Sequence, residues 1–186
     1  MSYSYTDVEL GKTTRKKYAV VIYLPQRLER YVASIRERFD PDYDVVAAHI
    51  TLVFPWETAT PLADLSAVIA AEARKCPPVR VRLESVGDFY PGTPIIYWAV
   101  SPEESLRCLY RHLYANLDLP LPFKELIPHV TVAKEISLHR VMMVKDQIAS
   151  YLPTESFDIT AIDLISPVAD HHWVSVRTFP LTGVQG

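Results

Sequence analysis

The sequence predicts an α+β protein built from two related lobes, and three observations predict it. The order strand–helix–strand–helix–strand occurs twice along the 186 residues. The two runs start at positions 18 and 95, an offset of 77, and their third elements start at 49 and 129, an offset of 80. Each third element also opens on the same pattern, "HITL" and "HVTV". Identity between the runs is slight, so the duplication rests on element order.

In the first run, YAVVIYL (18–24) is β-branched and aromatic, hence a strand. Pro25 ends it and opens an amphipathic helix with Leu28, Tyr31, Val32, Ile35 and Phe39 on one face. Arg27, Arg30, Arg36 and Arg38, interleaved with Glu29 and Glu37, read as that helix's solvated face. The loop DPDYD leads to the strand that begins at His49. Thr60 and Pro61 fit an N-cap and first helical residue, ahead of Leu65, Val68, Ile69 and Cys76. VRVRLESV (79–86) alternates cleanly as a strand, and DFYPGTP (88–94) is the turn-rich crossover to the second run.

The second run opens with IIYWAV (95–100). Ser101-Pro102-Glu103-Glu104 has the form of a capping box. The helix after it presents Leu106, Leu109, Tyr110, Leu113 and Leu117. LPLPFKELIP leads into the strand at His129, and a helix over about 138–152 turns Val141, Ile148 and Leu152 inward. A strand through FDITAIDLI and another in HHWVSVRTFPL finish the chain. Residues 1–16 read as a flexible N-terminal tail and 17–186 as a single bilobal domain, with lobes over about 18–90 and 95–181.

Nineteen basic and 22 acidic residues give a net charge of −3. That excludes a protein that coats nucleic acid by bulk phosphate attraction, though a local pocket for a nucleotide or one nucleic-acid end needs few positive groups. Cys76 and Cys108 form no CxxC and read as small buried hydrophobes. The N-terminus lacks an apolar signal core, and no stretch approaches the roughly twenty apolar residues of a membrane span. The expectation is a cytoplasmic protein without a membrane or protein partner.

Alternate residues of a strand face the same way. His49 and Thr51 therefore share one face and Ile50, Leu52 and Phe54 the other; His129 and Thr131 stand opposite Val130 and Val132. The apolar faces can pack under helices, whereas a polar group buried without a partner costs about 1–3 kcal/mol. Two lobes related by a pseudo-twofold axis bring both polar faces to one cleft. A single such tetrad reads as easily as a hydrogen-bonded structural histidine; the pair at equivalent points of a repeat reads as a ligand site. No carboxylate or cysteine accompanies the histidines at metal-ligand spacing, and threonine is a poor zinc ligand, so no metal and no cofactor is expected. Asp170, His171 and His172 read as an exposed turn, and His112 and His139 as helical residues without a partner.

"HITLVFP" and "PHVTVAK" resemble the two His-x-Thr/Ser motifs of the 2H phosphoesterases, the LigT or 2′-5′ RNA ligase-like superfamily, over nearly the whole chain from about Tyr18 to Leu181. The resemblance implies two mainly antiparallel sheets around a central cleft, with helices outside. It also implies a metal-independent hydrolase that opens the 2′,3′-cyclic phosphate of RNA ends or nucleotides, with ligation as the ATP-free reverse reaction. His129 is then the general base and His49 the general acid, although the chemistry alone permits the reverse. RNA ligase-like members usually carry arginine five residues after the second histidine, where this chain has Lys134.

The residues fit such chemistry by themselves. An unperturbed imidazole titrates near 6.5 and can give or take a proton near neutral pH. Threonine hydroxyls at Thr51 and Thr131 can donate to phosphate oxygens. Lys134 is a candidate phosphate contact, and Tyr23, Phe54, Trp56 and Tyr97 are candidates to stack on a base, each weighed against core packing. A non-catalytic module that holds a nucleotide or RNA end on the same fold is the alternative function.

Overall fold

The computed structural model describes residues 14–168 and 172–184. Most of the expected N-terminal tail lies outside them, and the first strand, β1, begins at Lys16, two residues earlier than the apolar run suggests. Along the chain follow β1 (Lys16–Tyr23), α1 (Gln26–Phe39), β2 (His49–Thr58), α2 (Leu62–Lys75), β3 (Val79–Asp88), β4 (Ile96–Ser101), α3 (Glu104–Asn116), β5 (His129–Ala133), a 3-10 turn (Leu138–Arg140), α4 (Val141–Ala149), β6 (Ser156–Ile159), β7 (Ala161–Pro167) and β8 (Trp173–Pro180). The α+β class and the twofold run of elements are both present.

The expected pair of sheets is a single one. Eight strands run in the order β6-β3-β4-β5-β2-β1-β7-β8, and the pairs are antiparallel. The two motif strands meet at its centre through one register pair, Ile50 with Val130, and that seam joins what would otherwise be separate sheets. The four-stranded halves β2-β1-β7-β8 and β5-β4-β3-β6 match in order about the seam. In the first run the strand after the second helix, β3, crosses to pair with β4; in the second run β6 stays in its own half beside β3, and β7 crosses to pair with β1. FDITAIDLI, expected as one strand, breaks at Thr160 so that β6 and β7 end on opposite halves.

The helices cover one face. Val32 and Ile35 of α1, Leu65 and Ile69 of α2, Leu106 and Leu113 of α3, and Val144 and Ile148 of α4 pack on Val20, Ile22, Ile50, Leu52, Trp98 and Val130. Tyr31, expected inside, stays 41% exposed at the rim, with its hydroxyl donating to the Tyr151 carbonyl at 2.7 Å. Two expected caps also differ. The α2 helix has Pro61 at its N-cap, because proline needs no hydrogen bond there, and Thr60 instead bonds Thr58. Ser101 belongs to β4, so no capping box forms, and Glu103 pairs with Arg107. Cys76 is half-buried, and Cys108, expected inside, is exposed on α3. Among the described residues no helix is long and apolar enough to cross a membrane.

Candidate active site

Because Ile50 and Val130 point into the core, their neighbours on β2 and β5 point away from it. His49, Thr51, His129 and Thr131 are each half-buried, and all four line one cavity of about 270 Å³. A larger cavity, about 560 Å³, opens between the start of α1 and the segment from α4 to β6; its charged lining is Arg27 and Glu155. The smaller one holds the chemistry.

The imidazoles are anchored alike. Nδ1 of His49 lies 2.8 Å from the Ala47 carbonyl oxygen, and Nδ1 of His129 lies 2.6 Å from that of Ile127. A carbonyl only accepts, so Nδ1 carries the hydrogen and the lone pair of the neutral ring sits on Nε2. The same bond two residues back in each lobe gives both rings one tautomer and one orientation. Burial pushes His49 down to about 4, with the Arg36, Lys134 and His129 charges adding to it and the Ala47 carbonyl opposing it. Burial lowers His129 as well, against the Ile127 carbonyl. Both rings are therefore neutral at neutral pH in the free protein.

The secondary candidates divide. Phe54 reaches the cavity although strict alternation points it into the core. Register shifts in the β1–β2 ladder leave Leu52 and Val53 both buried, and the inversion returns Phe54, 48% exposed, to the histidine face. Lys134 also lines the cavity. Tyr23 and Tyr97 stand behind the imidazoles. The Tyr23 ring is edge-on to His49 with centroids 6.4 Å apart, and Tyr97 packs 4.9 Å from His129. Burial, then the Asp163 charge, push the Tyr23 hydroxyl up to about 12. Trp56 leans on Tyr18 and the core, away from the cavity.

Two groups escaped the sequence reading. Arg36, taken for part of a solvated helix face, is 2% exposed and lines the cavity. Its Nε donates to Asp40 at 2.9 Å, Nη1 to the Val46 carbonyl at 2.8 Å and Nη2 to the Asp42 carbonyl at 3.2 Å. The signal was there: Arg36 lies four residues after Val32 on the apolar face and four before Asp40. Phe89, from the crossover loop, lines the cavity and packs edge-on to His129 with centroids 5.1 Å apart. Of the other histidines, His172 places Nδ1 3.0 Å from the Asp44 carbonyl, while Asp170 and His171 lie outside the described residues. Among the described residues no group of three or more His, Cys, Asp or Glu side chains is arranged to hold a metal ion.

Known proteins share this architecture. A protein of Bacillus pumilus, provisionally named a phosphoesterase, is 33% identical over 122 residues, 65% of this chain and 71% of its own. Two solved structures superpose over 91% of this chain. TT0787 of Thermus thermophilus is 19% identical with a TM-score of 0.64, matched over 100% of its length. E. coli LigT complexed with 3′-AMP is 15% identical with a TM-score of 0.64, matched over 99%. The family model of the 2′-5′ RNA ligase superfamily spans residues 24–171 and takes in both His-x-Thr pairs, so the chain belongs to that superfamily.

Proposed function

We propose that the protein is a metal-independent phosphodiesterase that opens 2′,3′-cyclic phosphates of RNA ends or nucleotides by two-histidine acid–base catalysis. One observation carries the reading: two imidazoles, each fixed through Nδ1 to the carbonyl two residues before it and each followed by a threonine, line a single cavity at the seam of the sheet. In this reaction the Nε2 lone pair of one ring takes a proton from water as the water oxygen bonds to phosphorus. The bond from phosphorus to one ribose oxygen breaks, and the other ring delivers a proton to that oxygen, leaving a phosphomonoester. The threonine hydroxyls donate to the non-bridging oxygens. Replacing water by the 5′ hydroxyl of a second RNA end turns the same ring opening into ligation: the 5′ oxygen bonds to phosphorus, the bond to one ribose oxygen breaks, and that oxygen takes the proton.

Following the family resemblance, His129 is the base and His49 the acid. His49 then needs a proton that burial and the neighbouring Arg36 and Lys134 charges withhold in the free protein. The substrate's negative charge provides the compensation, so the proton arrives with the substrate. The phosphoesterase names among the relatives and the 3′-AMP and phosphate complexes of E. coli LigT support the reading at the level of the family.

The test is hydrolysis of a set of 2′,3′-cyclic mononucleotides in EDTA by wild type and by the His49→Ala/His129→Ala double variant. Turnover that the double variant abolishes is the expected result, and the product isomer names the leaving oxygen. Saturable binding without turnover on any of them would replace the enzyme by the binding module.

A further inference from the structure

The cavity holds two cations, Arg36 and Lys134, and neither is available to a ligand as a whole charge. Arg36 is paired with Asp40, both side chains being buried. Lys134 places Nζ 2.8 Å from Asp42 and 4.0 Å from Asp40. The acids are themselves tied, since the Asp42 backbone N–H donates to Asp40 at 3.0 Å. The main chain of β5 is fastened to the same corner, where the Lys134 N–H donates to the Phe39 carbonyl at 3.0 Å. Two positive and two negative side chains close a network that spans the end of α1, the loop after it and the end of β5. Lys134 lines the cavity five residues after the second histidine, yet its ammonium is turned to Asp42.

We propose that Asp40 and Asp42 set the charge selectivity of this cleft: by keeping its cations internally paired they let it hold a monoanionic phosphodiester through hydrogen bonds and disfavour a dianionic phosphomonoester. The inference rests on the cyclic-phosphate reading and deepens it. Substrate and product of that reaction differ by one negative charge at neutral pH, because the second ionisation of a phosphomonoester lies near 6. A cleft with unpaired arginine and lysine would grip the product more tightly than the substrate. With the network closed, the electrostatic gradient runs outward once the ring is opened. Neutral imidazoles in the free protein fit the same balance.

Asp42 is the member to change, as its side chain is half exposed while that of Asp40 is buried. The probes are 2′-deoxyadenosine 3′-phosphate and its methyl ester, neither of which can cyclise, titrated calorimetrically at pH 8. Asp42→Asn frees the Lys134 charge, and a charge-assisted contact is worth roughly tenfold for the dianion. Coulomb energy is linear in ligand charge, so the monoanionic methyl ester gains only about threefold. Asp42→Asn/Lys134→Met removes the pair together and stays within about twofold of wild type for both probes, and it also serves if the single variant folds poorly. The inference falls if Asp42→Asn leaves the phosphomonoester affinity within twofold of wild type. It falls too if the double variant loses tenfold, for then Lys134 touches the phosphate in the native site. The enzyme reading fails separately: absent turnover of cyclic phosphates with the selectivity shift intact removes the reaction and keeps the charge selectivity.

Discussion

Acidification should weaken the fold through His49, and the size of the effect follows from its environment. The ring is held neutral, with its pKa pushed down to about 4, whereas in the unfolded chain it titrates near 6.5. Above 6.5 both states are neutral and nothing is lost. Between 6.5 and 4 the unfolded chain binds a proton that the folded one refuses, so stability falls as pH falls, and below 4 the loss is complete. Integrating that linkage gives about 2 kcal/mol lost between pH 8 and pH 5 from this one residue. His129, lowered in the same direction, adds to it. Glu84 and Glu125, whose carboxyls are held low by arginines, titrate below that window. The comparison is with His49→Asn, whose amide can still donate to the Ala47 carbonyl but carries no titrating group. Urea unfolding at pH 8 and pH 5 measures both proteins. The wild type should lose about 2 kcal/mol more than the variant across the interval. A difference under about 0.5 kcal/mol would show that solvent reaches the ring freely, and the account of a proton delivered with the substrate would go with it.

Other outcomes follow from the same geometry. Either His49→Ala or His129→Ala should reduce kcat on a 2′,3′-cyclic nucleotide at least about a hundredfold, and both staying within threefold would end the acid–base reading. Thr51→Ala or Thr131→Ala should cost about ten- to a hundredfold in kcat/KM, the worth of one hydrogen bond to a charged oxygen. Since both imidazoles are lowered in the free protein and a bound anion raises them, the alkaline limb of kcat/KM should lie at lower pH than that of kcat; coincident limbs would mean no proton uptake on binding. Gly87→Ala drives a Cβ into the Tyr97 ring, which is wedged between Phe89 and His129 and has nowhere to retreat. The expected cost is about 1–3 kcal/mol by urea unfolding, together with a loss of activity; an unchanged midpoint would show that the ring moves aside.

What the sequence made legible was whatever depends on neighbours a few positions away. The order of elements, the twofold run and the shared face of His49 with Thr51 all follow from strand and helix periods, and each survives in the structure. The second half reads as well, with Val130 and Val132 in the core opposite His129 and Thr131. Arg36 was opaque because its surroundings are assembled from afar. A run of alternating arginine and glutamate has the composition of a solvated face, and 27, 30 and 38 fit it: all three are exposed, Arg27 reaching Glu155 and Arg38 the Tyr151 hydroxyl. Position 36 differs because the chain after α1 folds back, bringing the Val46 and Asp42 carbonyls and the Asp40 carboxylate around the guanidinium. Burying that charge is tolerable only with all of those partners in place. No local pattern states that they converge.

The single sheet was hidden for a related reason. Apolar alternation fixes which face of β2 and β5 is buried, but it leaves open whether the two strands touch, and here they do so through one pair. The cleft lies over that seam, and an irregularity of β2 shapes its wall. Phe54 enters it only because β2 departs from alternation at Leu52 and Val53, both of which the core absorbs. A strand that kept its period would send Phe54 under the helices, where the Tyr114 hydroxyl oxygen already accepts from the Phe54 backbone N–H at 3.2 Å. The bulge thus converts a core position into a wall of the cavity, beside Phe89 from the other half. The two histidine strands begin as near copies, and the differences that give the cleft its own character accumulate just past the motifs: an inverted strand after Thr51, and a lysine turned to an aspartate after Thr131.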